Sequence, residues 1–267
     1  MPRIDHIELL DELGAGGTAS VKLGIDLNDG FPVAIKVLHK SLFKNEDIRK
    51  KFVNEANHYV YLRHKNIVKL KDFIIKDDAY YLVMEYIEGD TIENYINKIS
   101  GPIPEEVAVP MLNEVLNAIG HAHKNKVVHL DIKPANIMIT KDNEIKVLDF
   151  GISSDLGKDI KGAIMGSPMY MAPEQTVKGK KLDSRTDIYA LGVTFHQMLT
   201  ANLPYSTNIS REELFETIKT KPLKRVKEFV PWVSEAAQNI IDRATAKKPE
   251  SRYSSCREFM EDLNQLL

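Results

Sequence analysis

Apolar and polar residues follow different patterns in the two parts of the chain. In the first part, residues 31–39 and 79–87 form short runs rich in β-branched and aromatic residues, which predicts β-strands. Between them, residues 45–64 carry apolar side chains at helical spacing, and Asn45 stands before acidic residues as a helix cap would. The apolar positions of this predicted helix are Ile48, Phe52, Ala56, Tyr59 and Val60.

The polar, glycine-containing segment 86–90 interrupts this first pattern, and helical spacing dominates beyond it. In the first of the later segments, Met111, Val115 and Ile119 form an apolar stripe. The segments with helical spacing are 107–125, 182–200, 211–219 and 234–245. The pattern therefore predicts an α+β protein, with a small strand-rich lobe, a hinge at 85–89 and a large helical lobe.

Composition narrows the classes of function. The 267 residues carry a net charge of −2, so no overall positive field favours nucleic acid or an anionic membrane. The single cysteine, Cys256, cannot form an internal disulfide, which favours a structural thiol in a reducing compartment. We find no signal-peptide pattern and no apolar run of the roughly 18 residues of a membrane helix. These features predict a cytoplasmic chain, which could still be part of a longer membrane protein.

A glycine-rich stretch, "LGAGGTASVKLG", covers residues 13–24. Gly14, Gly16 and Gly17 leave backbone amides uncovered by side chains, so phosphate oxygens could approach them closely. Such a stretch is by itself more often a plain turn. Ala19 replaces the third glycine of the usual Gly-x-Gly-x-x-Gly pattern. No helix follows directly, which argues against a dinucleotide fold or a Walker loop.

Lys36 lies within the apolar segment "VAIK". A lysine is costly to bury unless it is paired, and the ordinary alternative is a side chain whose tip reaches solvent. Glu55 lies on the apolar side of the following predicted helix. We therefore expect a Lys36–Glu55 pair.

Further polar groups occur in "HLDIKPANIM", residues 129–138, and in "KVLDFG", which ends an apolar segment with Asp149. The first motif contains Asp131, Lys133 and Asn136. Asn136 and Asp149 offer oxygen donors of the kind that Mg²⁺ prefers. A lone aspartate is usually a turn residue or a helix cap, but here several such features occur together in one order.

Together these motifs resemble the eukaryotic-type (Hanks-type) protein kinase catalytic domain, in the style of its bacterial branch. The resemblance extends from about Ile7 to about Leu263. It rests on "LGAGGTASV", "VAIK", Glu55, "MEY", "HLDIKPAN", "DFG", "GSPMYMAPE", "DIYALG" and "KPESR".

The resemblance implies an α+β, bilobal protein-kinase-like fold. It implies a small antiparallel sheet with one main helix in an N-lobe, residues 1–86, and a mostly helical C-lobe, residues 87–267. The implied cofactors are ATP and Mg²⁺ or Mn²⁺, and the implied partners are proteins with Ser or Thr hydroxyls. Neither nucleic acid nor a membrane span is expected, and a homodimer is left open.

The resemblance also implies catalytic roles. Asp131 would accept or orient the substrate hydroxyl proton, and Lys133 would stabilise the γ-phosphate. Lys36, with Glu55 as its partner, would hold the α- and β-phosphates. Asn136 and Asp149 would bind the metal ion. The implied ATP-binding residues are Leu13, Gly14, Ala15, Gly16, Gly17, Val21, Ala34, Lys36, Met84, Glu85, Ile87 and Met138.

Within the implied ATP site, Val21 and Ala34 would cover the adenine from above and Met138 from below, although plain core packing is the alternative for all three. Met84 would stand at the back of the pocket. The backbone of Glu85 and Ile87 would read the adenine edge.

Other positions are implied to support the site. Glu174 and Arg252 would form a buried pair, and Asp187 would hold the backbone of the catalytic loop. Ser167 would contact the catalytic aspartate and lysine. The histidines of segment 107–125, including His121 and His123, are interpreted as ordinary helix positions.

The resemblance leaves three functions to distinguish. Lys133 and Ser167 favour a serine/threonine protein kinase. A pseudokinase scaffold would be indicated by loss of Lys36, Asp131, Asn136 or Asp149, and all four are present. A small-molecule kinase of related fold would lack the "MAPE" segment and its distal arginine, and both are present.

Leu130 stands where the resemblance leads us to expect an arginine that pairs with a phosphate on the activation loop. The segment 152–165 has no hydroxyl residues besides Ser153 and Ser154. We therefore expect activity that does not depend on phosphorylation of this loop. The loop would be held by apolar contacts from Ile160, Ile164 or Met165. The alternative is that Ser153, Ser154 or a distant cation performs the usual task.

Overall fold

The computed structural model of the chain describes residues 3–16, 19–77, 79–150, 154–155 and 166–267. The chain divides into two compact units, Met1–Glu88 and Gly89–Leu267. The assignment of residues 1–86 and 87–267 as lobes of one kinase domain stays a prediction.

The first unit is built on a six-stranded antiparallel sheet with the order β1-β2-β3-β4-β6-β5. Its strands are β1 (Arg3–Ile4), β2 (Ile7–Ala15), β3 (Ala19–Asp26), β4 (Pro32–Leu38), β5 (Leu70–Lys76) and β6 (Ala79–Glu85). Strands β4 and β6 are the two that the apolar runs predicted, and both are confirmed. A short 3₁₀ turn, Lys40–Leu42, follows β4.

The main helix of the first unit is α1, Glu46–Tyr61. Its predicted cap is confirmed, because the Asn45 side chain accepts the N–H of Ile48 at 3.1 Å. Phe52 and Ala56 pack against Leu38 and Leu82 of the sheet. The helical spacing therefore identifies the packed face correctly except at its end. Val60 was also predicted to lie on this face, but it is 56% exposed. Tyr59, the residue before it, is buried, so Val60 points away from the packed side of the helix.

The second unit is mostly helical. Its principal helices are α2 (Ile92–Asn94), α3 (Glu105–Lys124), α4 (Ser184–Thr200), α5 (Arg211–Thr220), α6 (Glu235–Ala244) and α7 (Cys256–Leu263). A π-helical turn, Tyr95–Ser100, follows α2. Short 3₁₀ turns cover Pro134–Asn136, Pro168–Tyr170, Pro173–Thr176, Val226–Glu228, Pro249–Ser251 and Asn264–Leu266. The four segments predicted as helices correspond to α3, α4, α5 and α6 and are confirmed.

Short strands complete the second unit. They are β7 (Gly89–Thr91), β8 (Val127–Val128), β9 (Ile137–Thr140), β10 (Ile145–Val147) and β11 (Ser154–Asp155). They form a small sheet of order β10-β9-β7 and a separate β11-β8 pair. The turn between β8 and β9 contains residues 129–136, and β10 ends two residues before Asp149. The strands thus place both polar motifs near the same small sheet.

Helix α4 is the centre of the second unit. Every residue from Thr186 to Thr200 is buried, as expected for a helix surrounded by others. Gly192 allows close packing, because a Cβ there would lie 2.8 Å from the Cβ of Ala244 in α6. A residue on this helix therefore has a fixed position from which to hold other segments.

The predicted α+β class is confirmed by this arrangement, with a small antiparallel sheet and one main helix in one unit and a mostly helical second unit. Among residues 3–16, 19–77, 79–150, 154–155 and 166–267, no helix is both long and apolar enough to span a membrane.

Candidate functional site

In the first unit, Lys36 and Glu55 form an ion pair. Lys36 lies on β4, and its Nζ donates to the two carboxylate oxygens of Glu55 on α1 at 2.8 and 2.9 Å. The side chains are 14% and 2% exposed. The expected pairing is thus present. Because a buried ion pair adds little net stability, its chief effect is to fix the position of the lysine ammonium.

The described residues of the glycine-rich stretch lie on or next to the paired strands β2 and β3. Gly14 pairs with Val21 and Ala15 with Ser20, and the N–H of Gly16 donates to the carbonyl of Ala19 at 2.8 Å. Nε2 of His39 donates to the carbonyl of Gly16 at 2.8 Å. This contact of His39 was not predicted from the sequence. Gly17 lies outside the described residues.

The other predicted ATP-binding residues of the first unit lie on or next to the central strands. Leu13 is on β2 and is 46% exposed. Ala34 of β4 is paired with Met84 of β6. The N–H of Glu85 donates to the carbonyl of Lys69 at 2.9 Å, and Ile87 follows two residues after the end of β6.

In the second unit, Asp131, Lys133, Asn136 and Ser167 are joined by hydrogen bonds. One oxygen of Asp131 accepts the Ser167 N–H at 2.7 Å. The other accepts Lys133 Nζ at 2.9 Å and Asn136 Nδ2 at 3.2 Å. Lys133 Nζ also donates to the Ser167 hydroxyl at 2.6 Å. The side chains of Asp131 and Lys133 are 16% and 23% exposed, so both reach the surface of the unit.

The predicted metal ligands of this unit are oxygen donors. The amide nitrogen of Asn136 also donates to the Asp131 carbonyl at 2.8 Å, which leaves the amide oxygen as its possible metal ligand. Leu148 donates its N–H to the Asn136 carbonyl at 2.8 Å, so the residue that precedes Asp149 is adjacent to Asn136. This donor set fits a hard divalent cation such as Mg²⁺. Met138 lies on β9, paired with Thr91 and Lys146.

Asp187 of α4 holds the start of this loop. Its Oδ2 accepts the N–H of His129 and its Oδ1 accepts the N–H of Leu130, both at 2.8 Å. The Asp187 side chain is 1% exposed. The expected tie between Asp187 and the loop backbone is therefore present.

Leu130 adopts a left-handed backbone conformation, with φ of 67°. For a non-glycine residue this conformation costs about 1–2 kcal/mol, so surrounding contacts must enforce it. Its side chain is buried, and its carbonyl accepts Nε2 of Gln175 at 3.1 Å. Gly166 passes so close that a Cβ there would lie 2.7 Å from the Leu130 oxygen. Only glycine permits this approach.

Glu174 and Arg252 form the expected buried pair. Both guanidinium NH₂ groups contact the carboxylate, at 2.7 and 2.8 Å, and the arginine side chain is fully buried. Arg252 also donates to the carbonyls of Arg185, Ala246 and Lys247. The pair connects the segment around residue 174 to α4 and to the turn after α6.

His123 was interpreted as an ordinary helix position, and this interpretation missed a contact. Its Nε2 lies 2.8 Å from Oδ2 of Asp187, and its Nδ1 lies 3.7 Å from Sγ of buried Cys256. Burial by itself would lower the pKa of His123, but hydrogen bonds to Asp187 and Cys256 outweigh it and raise the pKa to about 10. The sequence did contain a signal, because His123 follows Ile119 by four residues on the apolar stripe.

The raised pKa of His123 predicts a pH-dependent contribution to stability. The protonated ring stabilises the folded state fully below its ordinary pKa of about 6.5, and this contribution declines as the pH rises towards about 10. At neutral pH we expect His123→Gln to lower the free energy of unfolding by up to a few kcal/mol, since one pKa unit equals about 1.36 kcal/mol. The free energies of unfolding of the variant and of wild type, measured by chemical denaturation, should approach each other as the pH rises from 7 to 10.

The matched control is His121→Gln, on the same helix, where the ring contacts Asn125 rather than Asp187. It should leave the pH profile of unfolding close to that of wild type. If the free energy of unfolding of His123→Gln ran parallel to that of wild type from pH 6 to 10, the assignment of a buried charge to His123 would be contradicted.

Comparison with known proteins identifies the family to which the chain is similar. The family model described as "Protein kinase domain" matches residues 7–264. The chain is 35% identical over 96% of its length to serine/threonine-protein kinase PrkC of Bacillus subtilis, and 35% identical over 99% to serine/threonine-protein kinase Pkn1 of Myxococcus xanthus. It is 31% identical over 97% of its length to serine/threonine-protein kinase PknB of Mycobacterium leprae.

The chain spans 40%, 39% and 42% of these three relatives, or about two-fifths of their length. All three are bacterial, and the predicted resemblance to the bacterial branch is confirmed. The matched range includes both the Lys36–Glu55 pair and the Asp131 cluster. The chain therefore belongs to the protein kinase domain family.

Proposed function

We propose that the chain is the catalytic domain of a serine/threonine protein kinase that transfers the γ-phosphate of ATP to protein hydroxyls. The observation that carries the proposal is the cluster in which Asp131 and Lys133 are hydrogen-bonded to each other and to Ser167. The relatives named above, each called a serine/threonine-protein kinase, support it.

Asp131 and Lys133 are assigned complementary roles. The carboxylate of Asp131 orients the attacking hydroxyl and accepts its proton, and the Lys133 ammonium stabilises charge on the transferred phosphoryl group. Phosphoryl transfer depends mainly on positioning and charge stabilisation. The hydrogen bonds with Ser167 support these roles, because the serine donates its N–H to Asp131 and accepts from Lys133, which restricts the rotation of both side chains.

Lys36 and the glycine-rich stretch are assigned to the phosphates of ATP, and Glu55 is assigned to orient Lys36. Asn136 and Asp149 are assigned to a divalent cation, Mg²⁺ or Mn²⁺, which when bound would neutralise phosphate charge. The adenine is assigned to the predicted residues around Val21, Ala34 and Met138.

The second candidate function is a nucleotide-binding pseudokinase. Retention of Lys36, Asp131, Asn136 and Asp149 favours catalysis instead. The predicted cytoplasmic location, the protein substrates and a homodimer stay proposals about the whole protein.

We further propose that activity does not depend on phosphorylation of the activation loop. Leu130 supports this, because its buried apolar side chain cannot pair with a phosphate as an arginine would. The predicted contributions of Ser153, Ile160, Ile164 and Met165 lie outside the described residues, and the Ser154 side chain does too. The proposal therefore relies on Leu130 and on the composition of segment 152–165.

The expected result is that fully dephosphorylated chain, given labelled ATP, Mg²⁺ and a mixed protein acceptor, transfers phosphate to serine and threonine at the rate of untreated chain. The measurements are initial rates and phosphoamino-acid analysis, with a Ser153→Ala/Ser154→Ala variant as control. Dominant phosphotyrosine would contradict the serine/threonine assignment. A tenfold loss of rate that phosphorylation restores would contradict independence from the loop phosphate.

A further inference from the structure

We propose that Gln175 is a positioning residue for catalysis, and that its side-chain amide holds the catalytic loop without any phosphate. This inference rests on the proposed function. The contact consists of the Ala172 N–H, the Gln175 amide and the Leu130 carbonyl, together called the amide clamp.

The orientation of the Gln175 amide is fixed by its own turn. The Ala172 N–H donates to Oε1 of Gln175 at 2.9 Å, and the Gln175 N–H donates to the Ala172 carbonyl at 2.9 Å. With Oε1 occupied by a donor, the amide nitrogen must point the other way. There it donates to the Leu130 carbonyl at 3.1 Å. Gln175 is 6% exposed, so water does not readily replace these bonds.

The carbonyl that the clamp holds belongs to the strained residue of the loop. Leu130 keeps its left-handed conformation because Asp187 accepts its N–H and Gln175 donates to its carbonyl. The Leu130 carbonyl belongs to the peptide between residues 130 and 131, whose N–H, that of Asp131, donates to Nδ1 of His129 at 3.2 Å. Without the bond from Gln175, this peptide would be held at its N–H side only. That peptide carries the backbone of Asp131, so its rotation would displace the carboxylate.

The clamp and the Ser167 contact act on neighbouring residues. Ser167 donates its N–H to the Asp131 carboxylate, while Gln175 donates to the carbonyl of the residue before it. Both donors are neutral and both lie in the described segment after residue 165. The catalytic loop is therefore joined to this segment by bonds that do not need an arginine or a phosphate.

The experiment compares Gln175→Met, which removes both bonds of the clamp, with Gln175→Glu, which keeps an acceptor for Ala172 but cannot donate to Leu130 when ionised. The matched control is Gln238→Met. Gln238 is also a buried glutamine whose Oε1 accepts a backbone N–H, from Val226 at 2.7 Å, but it lies on α6. The measurements are kcat, KM for ATP, melting temperature and amide hydrogen exchange of residues 129–131.

We expect both Gln175 variants to lower kcat by about tenfold to a hundredfold, since a displacement of about 1 Å can cost about 10²-fold. KM for ATP should change less than about twofold, and exchange at residues 129–131 should accelerate. Gln238→Met should lower the melting temperature without these effects.

The outcomes separate this inference from the proposed function. No transfer by wild-type chain would contradict the proposed function, and the exchange data would then still decide the clamp. Normal kcat and unchanged exchange in both Gln175 variants would overturn the clamp alone. Equal losses of kcat in the Gln175 and Gln238 variants, or failure of both Gln175 variants to fold, would show a merely structural role and would also overturn it.

Discussion

Replacing Asp131 by asparagine should reduce kcat by about 10²- to 10⁴-fold, the usual contribution of a positioned acid–base group. Both oxygens of the carboxylate accept hydrogen bonds, one from Ser167 and the other from Lys133 and Asn136. An asparagine must direct its amide nitrogen at one of these donors, whichever way it is turned. The substitution thus removes the proposed proton acceptor and also disturbs the cluster around it.

The measurement is kcat with a protein acceptor, together with nucleotide affinity by calorimetry, which should change little. The matched control is Asp142→Asn, an exposed aspartate in the turn between β9 and β10 of the same unit. It should retain wild-type activity. Transfer by Asp131→Asn within threefold of wild type would show that this residue is not the base.

Replacing Lys36 by methionine should lower kcat by about 10²- to 10³-fold, as loss of a preorganised charge at a reacting group usually does. The structure adds an expected cost in stability. Glu55 is 2% exposed, and without Lys36 it keeps a buried charge that has lost its cation, a change that typically costs about 3–5 kcal/mol. Lys36→Met should therefore lose both activity and melting temperature.

A double variant separates the two losses. In Lys36→Met/Glu55→Leu neither charge is present, so the melting temperature should recover while kcat stays low. Lys22→Met, on the neighbouring strand β3, serves as the matched control for kcat. Recovery of activity in the double variant would mean that Lys36 acts only on stability, and would remove it from the catalytic assignment.

The first unit could be predicted well from the sequence because its signals are local. Asn45 and the spacing of Phe52 and Ala56 define both the start and the packed face of α1. Glu55 follows Phe52 by three residues and precedes Tyr59 by four, so it lies on that face. Its buried carboxylate favours a cation such as Lys36. The pairing therefore follows from periodicity together with the cost of burying a charge.

The supporting contacts of the second unit could not be derived in the same way. His123 and Gln175 look like ordinary polar residues, and nothing near them in sequence reveals their partners Asp187 and Leu130. The left-handed conformation of Leu130 is also hidden, since leucine rarely adopts it and only tertiary contacts enforce it. The resemblance predicted the role of Asp187, but the residues that surround it could be identified only from the structure.

The bonds of Asp187 also bear on how the second unit folds. They join residues 57 to 64 positions apart, so each requires closure of a long chain loop. Contacts of such high sequence separation slow folding, because entropy is lost before the contact forms. Asp187 can hold the strained turn at Leu130 only after α4 has packed within the second unit. During synthesis, a nascent chain that ends before residue 184 contains the whole "HLDIKPAN" motif together with Ser167 and Gln175. It lacks the carboxylate that accepts the N–H groups of His129 and Leu130, so the loop is completed only after α4 has been made.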